Sequence, residues 1–397
     1  MKKFLGFLLI TMLAVASVFG LFACDKTGDG DTTPGIKMYL VDSVDNPYYV
    51  VSDYVCDGQT TKLEIPAENN GYPVKEIKSN AFSGNDVLTE IVVPTSVETI
   101  NEGAFSGVKK LAKLTIPFVG KTANSDAYIN ETDEATDKSV GVQRTLAFVF
   151  GTESFNYGVS VTAKYSEADA DTKTYYMPVS LKEIVIAPKE AYSIPMYAFY
   201  GNTVINEVTF AGDIDKIGDY AFSGCEMLNE VVVQDTVSYI GKYAFNNAKS
   251  LADGLTFEDS SLALTIGEYA FYGAGIKNLT VPARTTSFGE FAFSASALET
   301  VNLSTQKIAN YAFKDCTGLK SVVISDATTK VGVYAFDGCK ALESFGKTVS
   351  AGKIDLTGID SLGAMSFARL NPNATYTVVS TLDSAILNYA FFNTNRA

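Results

Sequence analysis

The sequence predicts a repeat solenoid of about eleven coils, built mainly from short β-strands and turns with short helical segments. Two observations predict this fold. A sequence motif ending in Ala-Phe, such as Tyr220-Ala221-Phe222, recurs along most of the chain. After the copies, apolar and polar residues alternate as in a strand with one buried face. Self-similarity at a fixed period is typical of stacked units, none of which buries its apolar face alone.

Composition limits the classes of function. Hydrophobic residues make up 47% of the 397 residues, which is enough for a large core. The net charge is −14, and an acidic surface repels nucleic acid. The chain has no His and no Trp, which excludes Ser-His and Cys-His catalysis and imidazole metal sites.

Residues 1–23 have the pattern of a signal peptide, with Lys2 and Lys3 before an almost wholly apolar stretch. The stretch ends in Leu21-Phe22-Ala23-Cys24, which resembles the lipobox of bacterial lipoproteins. The resemblance implies that Cys24 carries a diacylglyceryl group and becomes the N-terminus. The alternative is an ordinary secretory signal followed by an incidental Cys. Residues 24–35 are polar and rich in Gly and Asp, as in a flexible tether.

Residues 36–75 are interpreted as an N-terminal cap, because a solenoid needs its first apolar face covered. Tyr48-Tyr49-Val50-Val51 and Lys62-Leu63-Glu64-Ile65 have strand patterns, and Asn70-Gly71 predicts a turn.

Residues 76–397 contain the repeats, and each copy is anchored by a Phe that follows a small residue. The residue before the Phe is Ala in ten of the eleven copies, and the residue five positions before it is always large and apolar. Most anchors are 20 to 26 residues apart, within the range of leucine-rich repeats. The anchors are Phe82, Phe105, Phe199, Phe222, Phe245, Phe271, Phe293, Phe313, Phe336, Phe367 and Phe391. We expect each anchor to stack on the anchor of the next coil.

The sequence of the copies, I-G-x-Y-A-F-x-G-C-x-x-L around Phe222, resembles the BspA-type leucine-rich repeat of bacterial surface proteins. The resemblance covers about residues 60 to 397. It implies display at the cell surface and binding of host or neighbouring-cell proteins.

An insertion interrupts the repeats at about residues 118–180. Its polar loop is a candidate binding site for a partner or a divalent ion, and the alternative is a solvated decoration. The candidate loop residues are Asp126, Glu131, Asp133, Glu134 and Asp137.

Two further positions at a fixed distance from the anchors carry similar residues in several copies, and stacking of the coils would align each set into a column. Cys225, Cys316 and Cys339 each lie three residues after an anchor, and we expect buried, unbridged thiols there, although Cys316 and Cys339 are close enough for a disulfide. An aromatic residue lies two residues before most anchors. This column is interpreted either as a platform for sugar or peptide or as a stack that only stabilises the rod. Its candidate binding residues are Tyr197, Tyr220, Tyr243, Tyr269, Tyr311 and Tyr334, and Tyr389 has the same spacing.

The sequence therefore predicts an extracytoplasmic protein, anchored to the membrane by lipid on Cys24, that mediates adhesion by binding an extracellular protein or glycan. It predicts no enzyme activity, catalytic residue, metal, cofactor or nucleic-acid partner. The alternatives are a cell-envelope spacer without a ligand and a carboxylate-dependent enzyme acting on glycans. For the binding surface, the insertion is slightly favoured over the aromatic column.

Overall fold

The computed structural model describes residues 33–43, 46–123, 141–164 and 172–396. In chain order, the strands are β1 (Gly35–Val41), β2 (Tyr48–Val55), β3 (Lys62–Glu64), β4 (Glu68–Asn69), β5 (Tyr72–Ile77), β6 (Glu90–Val92), β7 (Thr99–Ile100), β8 (Lys113–Ile116), β9 (Gly158–Lys164), β10 (Thr172–Pro178), β11 (Glu183–Ile186), β12 (Tyr192–Ile194), β13 (Glu207–Phe210), β14 (Ile214–Ile217), β15 (Val231–Val233), β16 (Tyr239–Ile240), β17 (Leu255–Phe257), β18 (Leu264–Ile266), β19 (Asn278–Thr280), β20 (Thr285–Phe288), β21 (Thr300–Leu303), β22 (Lys307–Ile308), β23 (Ser321–Ile324), β24 (Lys330–Val331), β25 (Ser344–Gly346), β26 (Lys353–Asp355), β27 (Ser361–Leu362) and β28 (Thr377–Val379). The structure also has a 3-10 helix, Leu146–Phe150, and an α-helix, α1, Ser384–Ala390.

Most coils contribute one strand to each of two parallel arrays and a turn between them. The first array begins with β3, which precedes the first anchor, and otherwise holds strands that follow the anchors. Its order is β3, β6, β8, β11 and β13, then β15 and β17, then β19, β21, β23, β25, β26 and β28. The second array holds strands that precede the anchors, in runs that include β12, β14, β16, β18 and β20 and also β22, β24 and β27. The solenoid predicted from the repeats is confirmed.

The Phe anchors form two stacks in the core of the repeats, one of Phe82 on Phe105 and one that runs from Phe199 to Phe391. The ring of Phe222 is fully buried, with its centroid 4.7 Å from that of Phe199 and 5.1 Å from that of Phe245. The three rings are almost parallel, with interplanar angles of 11° and 4°. Parallel strands bring identical positions of successive coils into register about 4.8 Å apart, and this places one Phe over the next. The predicted stacking is confirmed for every pair of successive anchors except Phe105 and Phe199, because Phe150 of the insertion lies next to Phe105 instead.

The N-terminal segment covers the first coil. Strands β1 and β2 form an antiparallel hairpin, and β2 pairs in parallel with β5 at the edge of the second array. The ring of Tyr54 lies 5.8 Å from that of Phe82, so it extends the aromatic stack by one ring. Asn70 and Gly71 join β4 to β5 with φ of 49° and 81°, the left-handed pair that a two-residue type I′ hairpin requires. The predicted turn is confirmed.

The insertion contains a degenerate coil that adds one ring, Phe150, to the stack of Phe82 and Phe105. The first array passes it without a gap, because β8 pairs directly with β11. In the turn region the backbone N–H of Phe105 donates to the carbonyl of Val149 at 2.9 Å, and the ring of Phe150 lies 6.2 Å from that of Phe105. Val149 and Phe150 thus take the places of the Ala and Phe of a normal copy. Strands β9 and β10 form a hairpin beyond this coil.

The last copy departs from the sequence prediction. Ile386 and Tyr389 have the repeat spacing, yet both lie in α1, and they are 41% and 70% exposed. Asp383 caps this helix, because its Oδ1 accepts a hydrogen bond from Ala385 N at 2.7 Å. The expectation that Tyr389 joins the aromatic column is wrong, and Ile386 does not share the burial of most equivalent residues in other coils. Only Ala390 and Phe391 keep the buried positions of the repeat.

Candidate functional site

The aromatic column occupies an unusual backbone conformation at the turn that precedes each anchor. Its residues Tyr197, Tyr220, Tyr243, Tyr269, Phe291, Tyr311 and Tyr334 have φ between 54° and 59°. A left-handed residue other than Gly costs roughly 1–2 kcal/mol, and Asn or Gly is the usual choice. The first two coils indeed place Asn80 and Gly103 at this position. Stacking between the aromatic rings therefore offsets the free-energy cost of the left-handed backbone conformation in each of these coils.

The rings of the column stack face to face along the rod. Centroid separations range from 4.4 Å between Phe291 and Tyr311 to 5.2 Å between Tyr311 and Tyr334, and adjacent rings are within 16° of parallel. The predicted column is confirmed as a stack from Tyr197 to Tyr334. At these separations no ligand ring fits between two neighbours, so the column presents ring edges and hydroxyls rather than ring faces. We call this surface the aromatic rim.

Exposure varies along the aromatic rim. Tyr197 is only 1% exposed and therefore offers no contact surface, whereas the other rings are half-buried. Burial raises the pKa of Tyr269, and the nearby charges of Glu268 and Glu290 add to the effect. The Tyr269 phenol therefore stays protonated at physiological pH and can both donate and accept hydrogen bonds.

A shallow groove of about 520 Å³ lies on the aromatic rim. This volume falls within the range typical of small-ligand sites. The residues that line it are Tyr243, Asn246, Asn247, Tyr269, Tyr272, Phe291, Ser294, Lys314 and Asp315. Tyr272 differs from the rim residues, because its ring is tilted by 57° from that of Tyr269 at 5.7 Å. We call this site the rim groove.

The polar walls of the rim groove are partly tied to the scaffold. Ser294 Oγ donates to the carbonyl of Lys314 at 2.7 Å, and Asn246 Nδ2 donates to Ser223 Oγ at 3.2 Å. Lys314 Nζ donates to Asp315 Oδ2 at 3.1 Å. Burial alone would lower the pKa of Lys314, but the bond to Asp315 and the charge of Asp337 outweigh burial and raise it. Lys314 therefore keeps its positive charge at physiological pH.

Sequence reasoning missed the rim groove residues outside the column, although a signal for Asn247 was present. The second residue after the anchor is Gly in six copies, including Gly224 and Gly273, and it has positive φ in both. Asn247 and Asp315 replace Gly at this left-handed position, with φ of 56° and 57°. Asn and Asp are the residues other than Gly that adopt this conformation most readily, so the pattern marks a polar side chain at a fixed point of the turn.

The cysteine column is structural. Cys225, Cys316 and Cys339 are buried and unbridged, as predicted, and Cys56 is also free. Each thiol of the column donates to the carbonyl of a Phe anchor of the preceding coil at 3.1 Å. Burial raises the pKa of the Cys225 and Cys316 thiols to about 12, so both are neutral and unreactive at physiological pH.

The other predicted site residues lie outside the described residues. These are Cys24 and the five acidic loop residues Asp126, Glu131, Asp133, Glu134 and Asp137. Within the described ranges, no group of three or more Cys, Asp or Glu residues is placed to hold a metal ion. The same part of the chain contains no helix that is long and apolar enough to cross a membrane.

Comparisons with known proteins bear on the family. The family model described as the BspA type leucine-rich repeat region (six copies) matches residues 56–136, 170–259, 254–357 and 304–396. No curated protein matches the chain. Among solved structures, a leucine-rich repeat protein from Bacteroides ovatus is 17% identical, with 92% of this chain and 98% of that chain covered and a TM-score of 0.40.

Two other solved structures are similar at the same level. A leucine-rich cell surface protein from Faecalibacterium prausnitzii is 17% identical, with 90% of this chain and 98% of that chain covered and a TM-score of 0.35. The pneumococcal vaccine antigen PcpA is 16% identical, with 88% of this chain and 81% of that chain covered and a TM-score of 0.33.

Proposed function

The chain belongs to the BspA-type leucine-rich repeat family, and from this membership we propose that it is an extracytoplasmic adhesion protein that binds an extracellular protein or glycan. The family is one of surface proteins and favours binding in general. The signal-peptide pattern of residues 1–23 and the lipobox-like Leu21-Phe22-Ala23-Cys24 support export and a lipid anchor at Cys24.

The rim groove is the observation that carries the binding proposal. A rod that only separates two layers of an envelope needs a filled core and a solvated surface. This rod instead keeps half-exposed aromatic rings in a strained backbone conformation beside Asn, Ser, Lys and Asp side chains. Tyrosine combines a large contact area with a polar tip and loses little conformational entropy on binding, which makes it a common contact residue in recognition surfaces.

The acidic loop of the insertion is the alternative binding surface. Its five carboxylates lie in the polar insertion, and recognition often resides in surface loops. The rim groove is preferred because defined contacts of the described residues support it.

A carboxylate-dependent enzyme gains no support from the carboxyls named below. A glycoside hydrolase needs one carboxyl whose pKa is raised so that it can donate a proton. Hydrogen bonds from Thr357 and then Lys353 instead lower the pKa of Asp355 to about 2. Bonds from Lys320 and Lys347 likewise lower the pKa of Glu299 and Asp326.

A binding screen tests the proposal. The full chain is purified in a detergent without sugar headgroups and is applied to panels of matrix proteins and of glycans. We expect saturable binding to at least one member, whereas a spacer without a ligand would bind none of them on either panel.

A further inference from the structure

The rim groove has the composition of a sugar-binding subsite, and Tyr272 is its central feature. The rim rings cover one another's faces, so they cannot stack on a ligand. Tyr272 stands apart from this stack, tilted by 57° from Tyr269 and half-buried, and no parallel ring lies on it among the described residues. One aromatic ring beside a groove is suited to the apolar face of a pyranose ring.

The groove wall supplies hydrogen-bonding groups around this ring. Among the described residues, the side-chain amide of Asn247 makes no hydrogen bond, so its donors and its acceptor are available to a ligand. The hydroxyl of Ser294 donates to the Lys314 carbonyl and keeps its capacity to accept. Asp315 adds carboxylate acceptors beside them. Mixed donors and acceptors at short range suit vicinal sugar hydroxyls, each of which both donates and accepts.

The charge of the groove favours a neutral ligand. Lys314, the cation in its lining, is bonded to Asp315 and lies 3.5 Å from a carboxylate oxygen of Asp337. Arg369 pairs with the same two carboxylates, so these charges balance. The protein as a whole carries a net charge of −14, which repels anionic polymers. Sulfated or uronate-rich glycans are therefore poor ligands for this groove.

The backbone around the groove disfavours an extended peptide. Strand addition needs unpaired backbone groups at a sheet edge. Here the N–H groups of Tyr269, Phe271 and Gly273 all donate to carbonyls of the next coil, at 2.7 to 3.0 Å. The rim groove also lacks a deep apolar pocket for a peptide side chain.

We propose that the rim groove binds a neutral glycan, with one pyranose ring against Tyr272 and its hydroxyls bonded to Asn247, Ser294 and Asp315. This inference rests on the proposed binding function and names the ligand class for the same surface. It assigns Tyr272 and Asn247 as the residues that determine affinity.

The chain offers matched variants for the test. Tyr200 has the same place after its anchor as Tyr272, and it is tilted by 71° from Tyr197, but it lies outside the groove. Tyr200→Ala is therefore the control for Tyr272→Ala. Asn247→Gly removes the amide and restores the residue that most coils use at this left-handed position, so the fold tolerates it.

The experiment measures binding of cellohexaose, chitohexaose and mannohexaose to the full chain by calorimetry, in a detergent without sugar headgroups. We expect at least one oligosaccharide to bind. Tyr272→Ala should weaken that binding about tenfold or more and Asn247→Gly about fivefold, while Tyr200→Ala leaves it unchanged.

Two outcomes overturn the inference. If the wild-type chain binds none of the three oligosaccharides, the glycan assignment fails, and binding to a matrix protein in the same screen would leave the proposed function intact. If a sugar binds but Tyr272→Ala and Asn247→Gly are no weaker than Tyr200→Ala, the sugar site lies elsewhere. Binding to neither panel removes the proposed function together with the inference.

Discussion

Replacing Phe222 by Ala tests the stacked core directly. The ring is fully buried and has a parallel neighbour on each side, at 4.7 Å and 5.1 Å. Withdrawing a Phe side chain from the core costs about 1.5–3 kcal/mol, and each lost aromatic pair costs about 0.5–1.5 kcal/mol more. Phe199 and Phe245 are each fixed by their own coil, so the cavity cannot collapse. We therefore expect Phe222→Ala to lower the free energy of unfolding by about 3–5 kcal/mol.

The assay is guanidinium chloride unfolding of the full chain, followed by far-ultraviolet circular dichroism. Phe391→Ala is the comparison, because Phe391 in the last coil stacks on Phe367 alone, at 5.1 Å. Its loss should cost clearly less than that of Phe222. Since repeat proteins can unfold in segments, hydrogen exchange of β14 and β15 shows whether the coil of Phe222 opens first. A loss below about 1 kcal/mol for Phe222→Ala would refute the stacked-core argument.

Three further predictions concern the backbone, the thiols and the anchor. Tyr220→Gly should be more stable than Tyr220→Ala by about 1 kcal/mol in the same unfolding assay. The reason is that Gly adopts the left-handed φ of 57° without strain, whereas Ala does not. The reverse order of stability would contradict the assigned conformation. Burial raises the pKa of the Cys225 thiol to about 12. Above about pH 9 the unfolded chain therefore loses this proton while the folded chain keeps it. The stability that the neutral thiol contributes is fully present at pH 8 and declines as the pH rises above about 9. The difference in unfolding free energy between the wild-type chain and Cys225→Ala should therefore change between pH 8 and pH 10, and a constant difference would argue against a buried thiol. Intact-mass spectrometry should find a lipid-modified Cys24 at the mature N-terminus, with release or loss of cleavage in Cys24→Ala; an unmodified N-terminus elsewhere would exclude the anchor.

The period of the anchors was sufficient to predict the solenoid. Phe222 and its equivalents recur at nearly constant spacing, and parallel strand pairing converts that spacing into a stack. The repeat spacing failed to predict the structure where the local sequence favours a helix. Residues 384–390 carry the repeat spacing, but the Asp383 cap and a run of helix-compatible residues give α1 instead.

The degenerate coil of the insertion shows a second kind of limit. The sequence around it contains Ala147-Phe148, which imitates the anchor phrase, yet the structure uses Val149 and Phe150 at the Ala and Phe positions. Only the pairing with Phe105 decides between the two registers, and that pairing is not local in sequence.

The candidate site was predicted in part. Spacing alone revealed the column of aromatic residues, but it gave no information on ring orientation. A platform of ring faces and a ribbon of ring edges have the same sequence pattern, and only the interplanar angles distinguish them. Tyr272 was missed for the same reason. The position after the anchor varies among Ser, Tyr, Asn, Lys, Asp, Ala and Phe, and the tilt of Tyr272 away from the stack depends on the neighbouring coils.

The most direct test of the account is whether ligand binding resides on the rim or in the insertion. Lys121 N bonds to the Gln143 carbonyl at 2.7 Å and closes the base of the loop, so residues 124–140 can be replaced by a short Gly/Ser linker without disturbing the rod. The affinity of this variant for the ligand found in the screen is compared with that of the wild-type chain and of Tyr272→Ala. The account predicts unchanged affinity for the loop variant and a loss of about tenfold or more for Tyr272→Ala. Binding that disappears with the loop and survives Tyr272→Ala would contradict it.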